Sequence, residues 1–183
     1  MSRINAIYGT GGFAREVIPI LNEQHPNDDN IFVVHKEYLT SEKSINGYSV
    51  MSYEDFIDIP SKEKSITVAI SDASIRSRVS TVINQDGIRQ SSIISNKSVM
   101  MDEVSISNGA IICPFVTITS NIRVGQNFHA NIYSYVAHDC IIGDNVTFAP
   151  SVKCNGNVII EDNVYIGTGA IIKQGKSNNP IIL

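Results

Sequence analysis

Between Met101 and Ile172, aliphatic residues return at every sixth position of the chain. Twelve consecutive hexads begin at Met101, and position six of each is Ile, Val, Ala, Phe or Cys. Position four is also mostly apolar, and the residue after position six is often Gly, Ala or Ser. A helix repeats every 3.6 residues and a strand every two, so neither alone gives a period of six. The pattern predicts short strands that wind into a solenoid, with positions four and six pointing inward.

Residues 1–92 have a different pattern, in which short apolar runs alternate with amphipathic segments. The apolar runs predict strands at residues 4–9, 30–35 and 65–71. The other segments predict helices at residues 14–24, 52–59 and 72–85, with Ser52 and Asp72 as N-caps. Pro19 should kink the first helix or mark an early turn. Strands that alternate with helices indicate an α/β unit with a half-Rossmann-like parallel sheet. We therefore expect two domains, residues 1–92 and 93–183.

Composition and charge argue against several functional classes. The 183 residues are 43% hydrophobic, which is enough for a packed core, and the formal net charge is −4. That charge offers no attraction to nucleic acid, and no apolar run approaches the ~20 residues of a membrane span. The first residues lack the pattern of a signal peptide. Three cysteines without CxxC spacing predict reduced thiols, so we expect a cytoplasmic location.

The hexad frame stops after Ile172. The remaining residues contain Pro180 followed by three aliphatic residues, as if a new coil were starting. An uncapped apolar end is unfavourable for a solenoid. We therefore expect the natural chain to continue beyond residue 183.

The stretch "YGTGG" follows the first predicted strand and opens the first predicted helix. Such a turn offers backbone N–H groups and the helix dipole to a phosphate group. The full GxGxxG pattern is missing, and "VVH" stands at the end of the second strand where a dinucleotide site needs an acidic residue. The pattern favours a nucleotide-sugar diphosphate over a dinucleotide, with a merely structural tight turn as the alternative.

The stretch "YVAHDCIIGD" places His138 and Asp139 side by side in an otherwise apolar repeat. His138 occupies position two of its hexad, on the outer surface, so it is either a solvated corner or a base. A neutral imidazole suits removal of a proton from an amine or hydroxyl that attacks a thioester. An aspartate on the other ring nitrogen would fix the tautomer and stabilise the imidazolium. Cys140 occupies inward-pointing position four, which argues against a nucleophilic thiol.

A second histidine in the repeat, His129, raises the alternative of a zinc site on the solenoid. A catalytic zinc ion of that kind needs three protein ligands. The hexads carry only His129 and His138. We therefore expect no metal.

Three motifs in this order resemble one protein family. The α/β unit with "IYGTGGFAREV" and "VAISDASIRSR", followed by hexads with "HDCIIGDN", is similar to the hexapeptide-repeat nucleotide-sugar acyltransferases. That family includes bacterial amino-sugar N-acetyltransferases and sialic acid O-acetyltransferase-like proteins. The resemblance covers essentially the whole chain. It implies a left-handed parallel β-helix, a homotrimer, and acetyl-CoA as co-substrate.

The resemblance also implies a role for individual residues. His138 would be the base, and Asp139 would raise its basicity. The substrate-binding positions fall on Gly9, Gly11, Gly12, Ser71 and Asn131, and the acetyl-CoA-binding positions fall on Thr147, Gly156 and Thr168. The chain departs from the family pattern at Phe13, at His35 and Lys36, and at Thr147, where relatives often have histidine, acidic residues and histidine respectively.

The activity implied by the resemblance is N-acetylation of a nucleotide-linked 4-amino-deoxy sugar in bacterial surface-glycan biosynthesis. Two alternatives remain open at this point. One is O-acylation of a sialic acid or a similar sugar, and the other is a non-catalytic solenoid used for assembly.

Overall fold

The first unit of the protein is built on a six-stranded sheet. In the computed structural model, which describes residues 3–60 and 63–183, the chain divides into two compact units, Met1–Ile93 and Ile94–Leu183. The strand order of the sheet is β3-β4-β2-β1-β5-β6. The six strands are β1 (Ile4–Tyr8), β2 (Asp29–Val34), β3 (Ser44–Ile45), β4 (Tyr48–Ser52), β5 (Lys64–Val68) and β6 (Arg89–Gln90). All neighbouring strands run parallel except β3 and β4, which form an antiparallel pair.

Three helices accompany this sheet: α1 (Gly12–Gln24), α2 (Tyr53–Asp58) and α3 (Ala73–Gln85). The predicted N-caps are confirmed, since Ser52 accepts from the amide of Asp55 at 3.0 Å and Asp72 accepts from the amide of Ile75 at 2.8 Å. Pro19 lies inside α1 without ending it. The core between these elements contains Ala6, Val33, Phe56, Ile66, Val68 and Ile83. No helix in the described part of the chain is long and apolar enough to cross a membrane.

The hairpin of β3 and β4 was not among the elements predicted from the sequence. Its turn is Asn46-Gly47, with φ angles of 51° and 85°. Asn-Gly is the preferred pair for a two-residue hairpin turn, because both central residues need positive φ. The signal was present in the sequence, but each flanking strand is too short to show a pattern of alternation.

The second unit is a parallel β-helix with three sheets of five strands. Face one contains Ile93–Ile94, Ile111–Ile112, His129–Ala130, Thr147–Phe148 and Tyr165–Ile166. Face two contains Val99–Met100, Thr117–Ile118, Tyr135–Val136, Lys153–Cys154 and Ile171–Ile172. Face three contains Val104–Ile106, Ile122–Val124, Ile141–Ile142, Val158–Ile160 and Ile181–Ile182.

The register of the strands confirms the repeat read from the sequence. Residues 18 apart pair across neighbouring coils, as in Tyr135 with Lys153 and Arg123 with Ile141. Positions four and six point inward, and the Phe128 and Phe148 rings meet edge-on at 5.2 Å in the interior. Three hexads therefore make one coil of the solenoid.

The corners of the β-helix are formed by position three of each hexad. All twelve position-three residues from Glu103 to Gly169 have a φ angle between 55° and 80°. Asn, Asp and Gly tolerate this left-handed region better than other residues, and they occupy eight of these twelve corners. The larger side chains of Phe115 and Tyr133 stack at 5.1 Å on one corner.

The end of the described chain keeps the coil register longer than the apolar pattern indicated. The amide of Gly175 donates to the carbonyl of Gly156 at 2.9 Å, which continues the corner ladder past Ile172. An antiparallel bridge between Lys176 and Asn179 follows. The strand Ile181–Ile182 then pairs with Val158 and Ile159, so five residues are inserted between the corner and this strand.

Candidate active site

His138 and Asp139 lie on the corner between faces two and three of the β-helix. Nδ1 of His138 is 2.7 Å from Oδ2 of Asp139, and both side chains are 47% exposed. An ionised carboxylate can only accept a hydrogen bond, so Nδ1 carries the proton and Nε2 presents a lone pair. The predicted histidine–acid pair is thus formed in the structure, on the surface and available to a ligand.

The backbone of the pair is fixed by the neighbouring coils. The amide of Asp139 donates to Ser120 O at 3.0 Å, and His138 O accepts from the amide of Asn157 at 3.0 Å. Asp139 has a φ of 59°, which turns its side chain at the corner back toward the imidazole that precedes it. The corner geometry of the repeat therefore allows two adjacent residues to form a pair.

Gly156 lies one coil after His138 and in contact with its ring. A Cβ atom built on Gly156 would be 2.5 Å from Cε1, 2.7 Å from Nε2 and 2.9 Å from Nδ1 of His138. Real Cβ contacts are not that short, so only glycine fits beneath the imidazole. Among the described residues, the Gly156 amide donates to no backbone carbonyl, whereas its carbonyl accepts from Gly175. The Gly156 N–H thus belongs to a residue that lies against the imidazole and, among the described residues, is not bonded to a backbone carbonyl.

Asp139 has a second hydrogen-bond partner that sequence reasoning did not identify. Nδ2 of Asn121, one coil earlier, donates to Oδ1 of Asp139 at 3.1 Å. The bonds from His138 and then from Asn121 lower the pKa of Asp139 below its ordinary value of 3.8. The carboxylate is therefore ionised throughout the neutral range. The spacing of 18 residues was the signal that could have pointed to Asn121.

A polar groove of about 460 Å³ lies beside the pair on face three. Its walls include Glu103, Asn121, Arg123, Asp139 and Ile141. The groove brings carboxylates, an amide and a guanidinium together next to the corner that carries His138 and Asp139. Cys140 also lines it, but its side chain is buried and its thiol lies 3.3 Å from Asn155 O. The expectation that Cys140 points inward is confirmed.

The other β-helix residues predicted for ligand binding lie away from this corner. Asn131 and Thr168 occupy the corner between faces one and two, where Asn131 is half-buried and Thr168 is exposed. Thr147 is buried on face one, in register with His129. The chain therefore brings His138, Asp139 and Gly156 together but does not add Asn131, Thr147 and Thr168, whose roles stay predictions.

The four residues predicted in the first unit line a single cavity. Gly9, Gly11, Gly12 and Ser71 surround a space of about 380 Å³ at the carboxyl ends of β1, β2 and β5. Gly9 has a φ of 117°, and a Cβ there would approach Ala69 O to 3.3 Å. At Gly11 and Gly12, a Cβ would meet no atom within 4 Å. These two glycines leave the N-terminus of α1 open toward the cavity, as a phosphate site requires.

Arg76 supports the wall of this cavity from inside the unit. Its side chain is fully buried, and its Nη1 donates to Ile70 O and to Ser71 O at 2.6 and 3.0 Å. Burial lowers the pKa of Arg76 to about 10, so the guanidinium stays charged at neutral pH. The predicted site residues did not include Arg76. Its spacing from Ser80 and Ile83 places it on the buried face of α3, and that spacing was a usable signal.

His35 stands at the cavity edge, where an acidic residue was expected from the resemblance. Its Nε2 lies 3.2 Å from Oε1 of Glu54, and its Nδ1 lies 3.8 Å from Oε1 of Glu37. Two acidic side chains thus lie next to His35, one from the following 3₁₀ turn, Lys36–Tyr38, and one from α2.

The alternative of a zinc site receives no support from the histidines. His129 is fully buried within face one, while His138 is exposed on a different corner. Within residues 3–60 and 63–183, no group of three His, Cys, Asp or Glu side chains is placed to hold a metal ion.

Comparison with known proteins identifies the family of the chain. The family model described as PglD N-terminal domain matches residues 6–83, and the bacterial transferase hexapeptide (six repeats) model matches residues 121–156. The GDP-perosamine N-acetyltransferase of Escherichia coli O157:H7 is 49% identical over 179 residues, which are 97% of this chain and 81% of that protein. The chain belongs to the hexapeptide-repeat nucleotide-sugar acyltransferases.

Two solved structures share the fold. WeeI from Acinetobacter baumannii AYE has a TM-score of 0.93 at 46% identity, covering 99% of this chain and 85% of its own. PerB from Caulobacter crescentus, solved in complex with CoA and GDP-perosamine, has a TM-score of 0.74 at 16% identity, covering 97% and 90%. The second unit is therefore the left-handed parallel β-helix of this family, as expected.

Proposed function

We propose that the protein transfers an acetyl group from acetyl-CoA to the amino group of a nucleotide-linked 4-amino-deoxy sugar in bacterial surface-glycan biosynthesis. The observation that carries the proposal is the exposed His138–Asp139 pair, which lies against Gly156 on the β-helix. The identity of 49% to a GDP-perosamine N-acetyltransferase makes a GDP-linked amino sugar the first substrate to test. A cavity beside the open N-terminus of α1 supplies a place for the diphosphate.

The geometry supports direct attack on the thioester. Nε2 of His138 accepts a proton from the sugar amine as its nitrogen bonds to the acetyl carbonyl carbon. Asp139 stabilises the imidazolium that forms, and the Gly156 amide donates to the developing oxyanion. When the tetrahedral intermediate collapses, the C–S bond breaks and the imidazolium returns the proton to the CoA sulfur. No acyl-enzyme is needed, which agrees with the buried position of Cys140.

The roles of Asn131, Thr147 and Thr168 are proposed together with a homotrimer. Asn131 and Thr168 lie on a corner that does not carry His138, so a second subunit would bring an equivalent corner to the base. Exposed apolar side chains on faces two and three, such as Ile141 and Ile171, supply surface for such packing. Thr147 is buried, so a contact with acetyl-CoA there depends on a local shift. We place this reaction in the cytoplasm, where acetyl-CoA is available.

The experiment that tests the function is an acetyl-CoA consumption assay on a panel of amino sugars linked to GDP, dTDP or UDP. The expected result is CoA release with one of these substrates and a product heavier by one acetyl group on the sugar nitrogen. His138→Ala should lower kcat by roughly 10²–10⁴ with little change in either KM, since proton removal matters in the transition state. Acetylation of oxygen, or no turnover with any member of the panel, would overturn the proposal.

The oligomeric state has its own test. Sedimentation velocity at micromolar concentration should give a single species of three subunits. A monomer with full activity would overturn the trimer and the shared site, while leaving the roles of His138 and Asp139 intact.

A further inference from the structure

The carboxylate of Asp139 is held at both of its oxygens. Oδ2 accepts from Nδ1 of His138 at 2.7 Å, and Oδ1 accepts from Nδ2 of Asn121 at 3.1 Å. Asn121 comes from the preceding coil, 18 residues earlier in the chain. A chain of hydrogen bonds therefore runs from the amide, through the carboxylate, to the imidazole.

The two hydrogen bonds to Asp139 matter for its orientation because the His138–Asp139 pair is exposed to solvent. A solvated carboxylate with one hydrogen bond exchanges among rotamers and loses contact with its partner for part of the time. Bonds to both oxygens fix the plane of the carboxylate as well as its position. Asn121 and Asp139 have φ angles of 58° and 59°, so their side chains leave equivalent corners of consecutive coils. The stacking of coils thus sets the distance between the amide and the carboxylate.

The amide is chemically suited to this position. Its NH₂ group can only donate, so it favours the ionised form of Asp139. The corner column reads Glu103, Asn121, Asp139, Asn157 from coil to coil, which places a neutral residue between the two acids. The titratable and charged groups that face Asp139 are His138, together with Glu103, Arg123 and Cys140 in the adjoining groove. A carboxylate at position 121 would add repulsion directly against Asp139.

We propose that Asn121 is a positioning residue for acetyl transfer, acting through Asp139 to keep His138 in the tautomer that accepts the substrate proton. The inference rests on the proposed function, since it assigns a role within that reaction. It goes beyond that function by extending the catalytic pair to a three-residue relay across two coils. Asn121 acts on the orientation of the base and contributes no atom to the reacting groups.

The chain offers a matched control for every substitution at this position. Asn163 also occupies position three of its hexad, has a φ of 64°, is exposed, and lies on the corner between faces three and one. Asn121→Gly removes the amide and suits the left-handed backbone, so the fold should remain intact. Asn121→Asp keeps the size of the side chain but replaces the donor with a charge. Asn163→Gly and Asn163→Asp repeat both changes away from His138.

The kinetic expectation separates a positioning role from a structural one. Asn121→Gly should lower kcat about tenfold, the scale set by the loss of one hydrogen bond to a charged group, with both KM values nearly unchanged. Asn121→Asp should also lower kcat, and it should move the acidic limb of kcat/KM to higher pH, because the added negative charge favours the protonated pair. The two Asn163 variants should match the wild type in kcat and in pH profile.

A spectroscopic readout tests the relay without relying on turnover. The chain has only four histidines, so ¹⁵N-labelled imidazole signals can be assigned with a His138→Gln variant. Neutral His138 should be protonated at Nδ1 in the wild type and in both controls, and it should show a mixture of tautomers in Asn121→Gly. If the wild type transfers no acetyl group, the proposed function fails, while the tautomer measurement still tests the relay. Unchanged tautomer populations, kcat and pH profile in both Asn121 variants would overturn the inference.

Discussion

The imidazole of His138 occupies the space where a Cβ atom on Gly156 would lie, one coil further along the β-helix. The two residues are 18 positions apart, so the repeat that builds the solenoid also stacks the imidazole on a residue without a side chain. The contact leaves no room for a larger residue on that side of the ring. The hydrogen bond to Asp139 fixes the ring within its own coil. The position of the imidazole thus depends on Gly156 as well as on Asp139.

Gly156→Ala should therefore damage catalysis more than folding. The added Cβ would lie under 3 Å from three ring atoms, so the half-exposed imidazole should swing outward and leave Asp139. We expect kcat to fall by about 10- to 100-fold, with Tm changed by only a few degrees, because the ring is free to move into solvent. Steady-state kinetics and calorimetry check both parts. Gly167→Ala is the control, since a Cβ there meets nothing within 4 Å. Equal kcat in the two variants would contradict the steric argument.

Asp139→Asn should lower the thermal stability of the protein by an amount that depends on pH. The pKa of Asp139 is lowered by its bonds to His138 and Asn121. A carboxyl with a lowered pKa adds stability that is present above its ordinary value of 3.8 and is lost as pH falls through the lower folded value. The Tm difference between wild type and variant should thus be constant near neutral pH and vanish in acid below that value. Thermal denaturation at several pH values measures it.

At neutral pH, Asp139→Asn should lower kcat less than His138→Ala does. The imidazole would remain but lose the charge that orients it and stabilises its protonated form. A loss as large as that of His138→Ala would indicate that Asp139 has a further role in the reaction.

Two glycines of the first unit should respond differently to substitution. Gly11→Val should raise the KM for the nucleotide sugar by at least tenfold and leave the KM for acetyl-CoA unchanged, because the side chain enters open space in the cavity. Its Tm should stay near that of the wild type. Gly9→Ala should instead lower stability by about 1–2 kcal/mol, since φ is 117° and the methyl group approaches Ala69 O. A Gly11 variant with normal nucleotide-sugar affinity would show that the turn is structural.

Arg76→Met should destabilise the first unit and weaken substrate binding together. The change leaves the carbonyls of Ile70 and Ser71 without the donor that they have now, at an expected loss of ~2–4 kcal/mol in the free energy of unfolding. Denaturant titration measures this loss, and a higher KM for the nucleotide sugar should accompany it because Ser71 lines the cavity. Arg78→Met, an exposed change on the same helix, should alter stability by less than ~0.5 kcal/mol.

Much of the architecture could be predicted from the local pattern of residues in the sequence. The six-residue period defined the solenoid and its inward columns, since a coil of three hexads repeats the same packing environment every 18 residues. The N-caps Ser52 and Asp72 could be predicted because each side chain accepts a hydrogen bond from the amide three positions later. The hairpin at Asn46-Gly47 was missed, because its strands are too short to alternate visibly.

The sequence by itself determined the fold class, the two-part organisation, the glycine turn and the adjacent His138–Asp139 pair, since these depend on neighbours in the chain or on a fixed repeat. The tertiary structure decided which residues meet that pair. Asn121 reaches Asp139 and Gly156 lies under His138 only because coils stack in register. It also decided that Arg76 holds the cavity wall from inside, while Asn131 and Thr168 lie on another corner. Such contacts join residues far apart in sequence, and their geometry depends on how strands and coils pack rather than on any local preference.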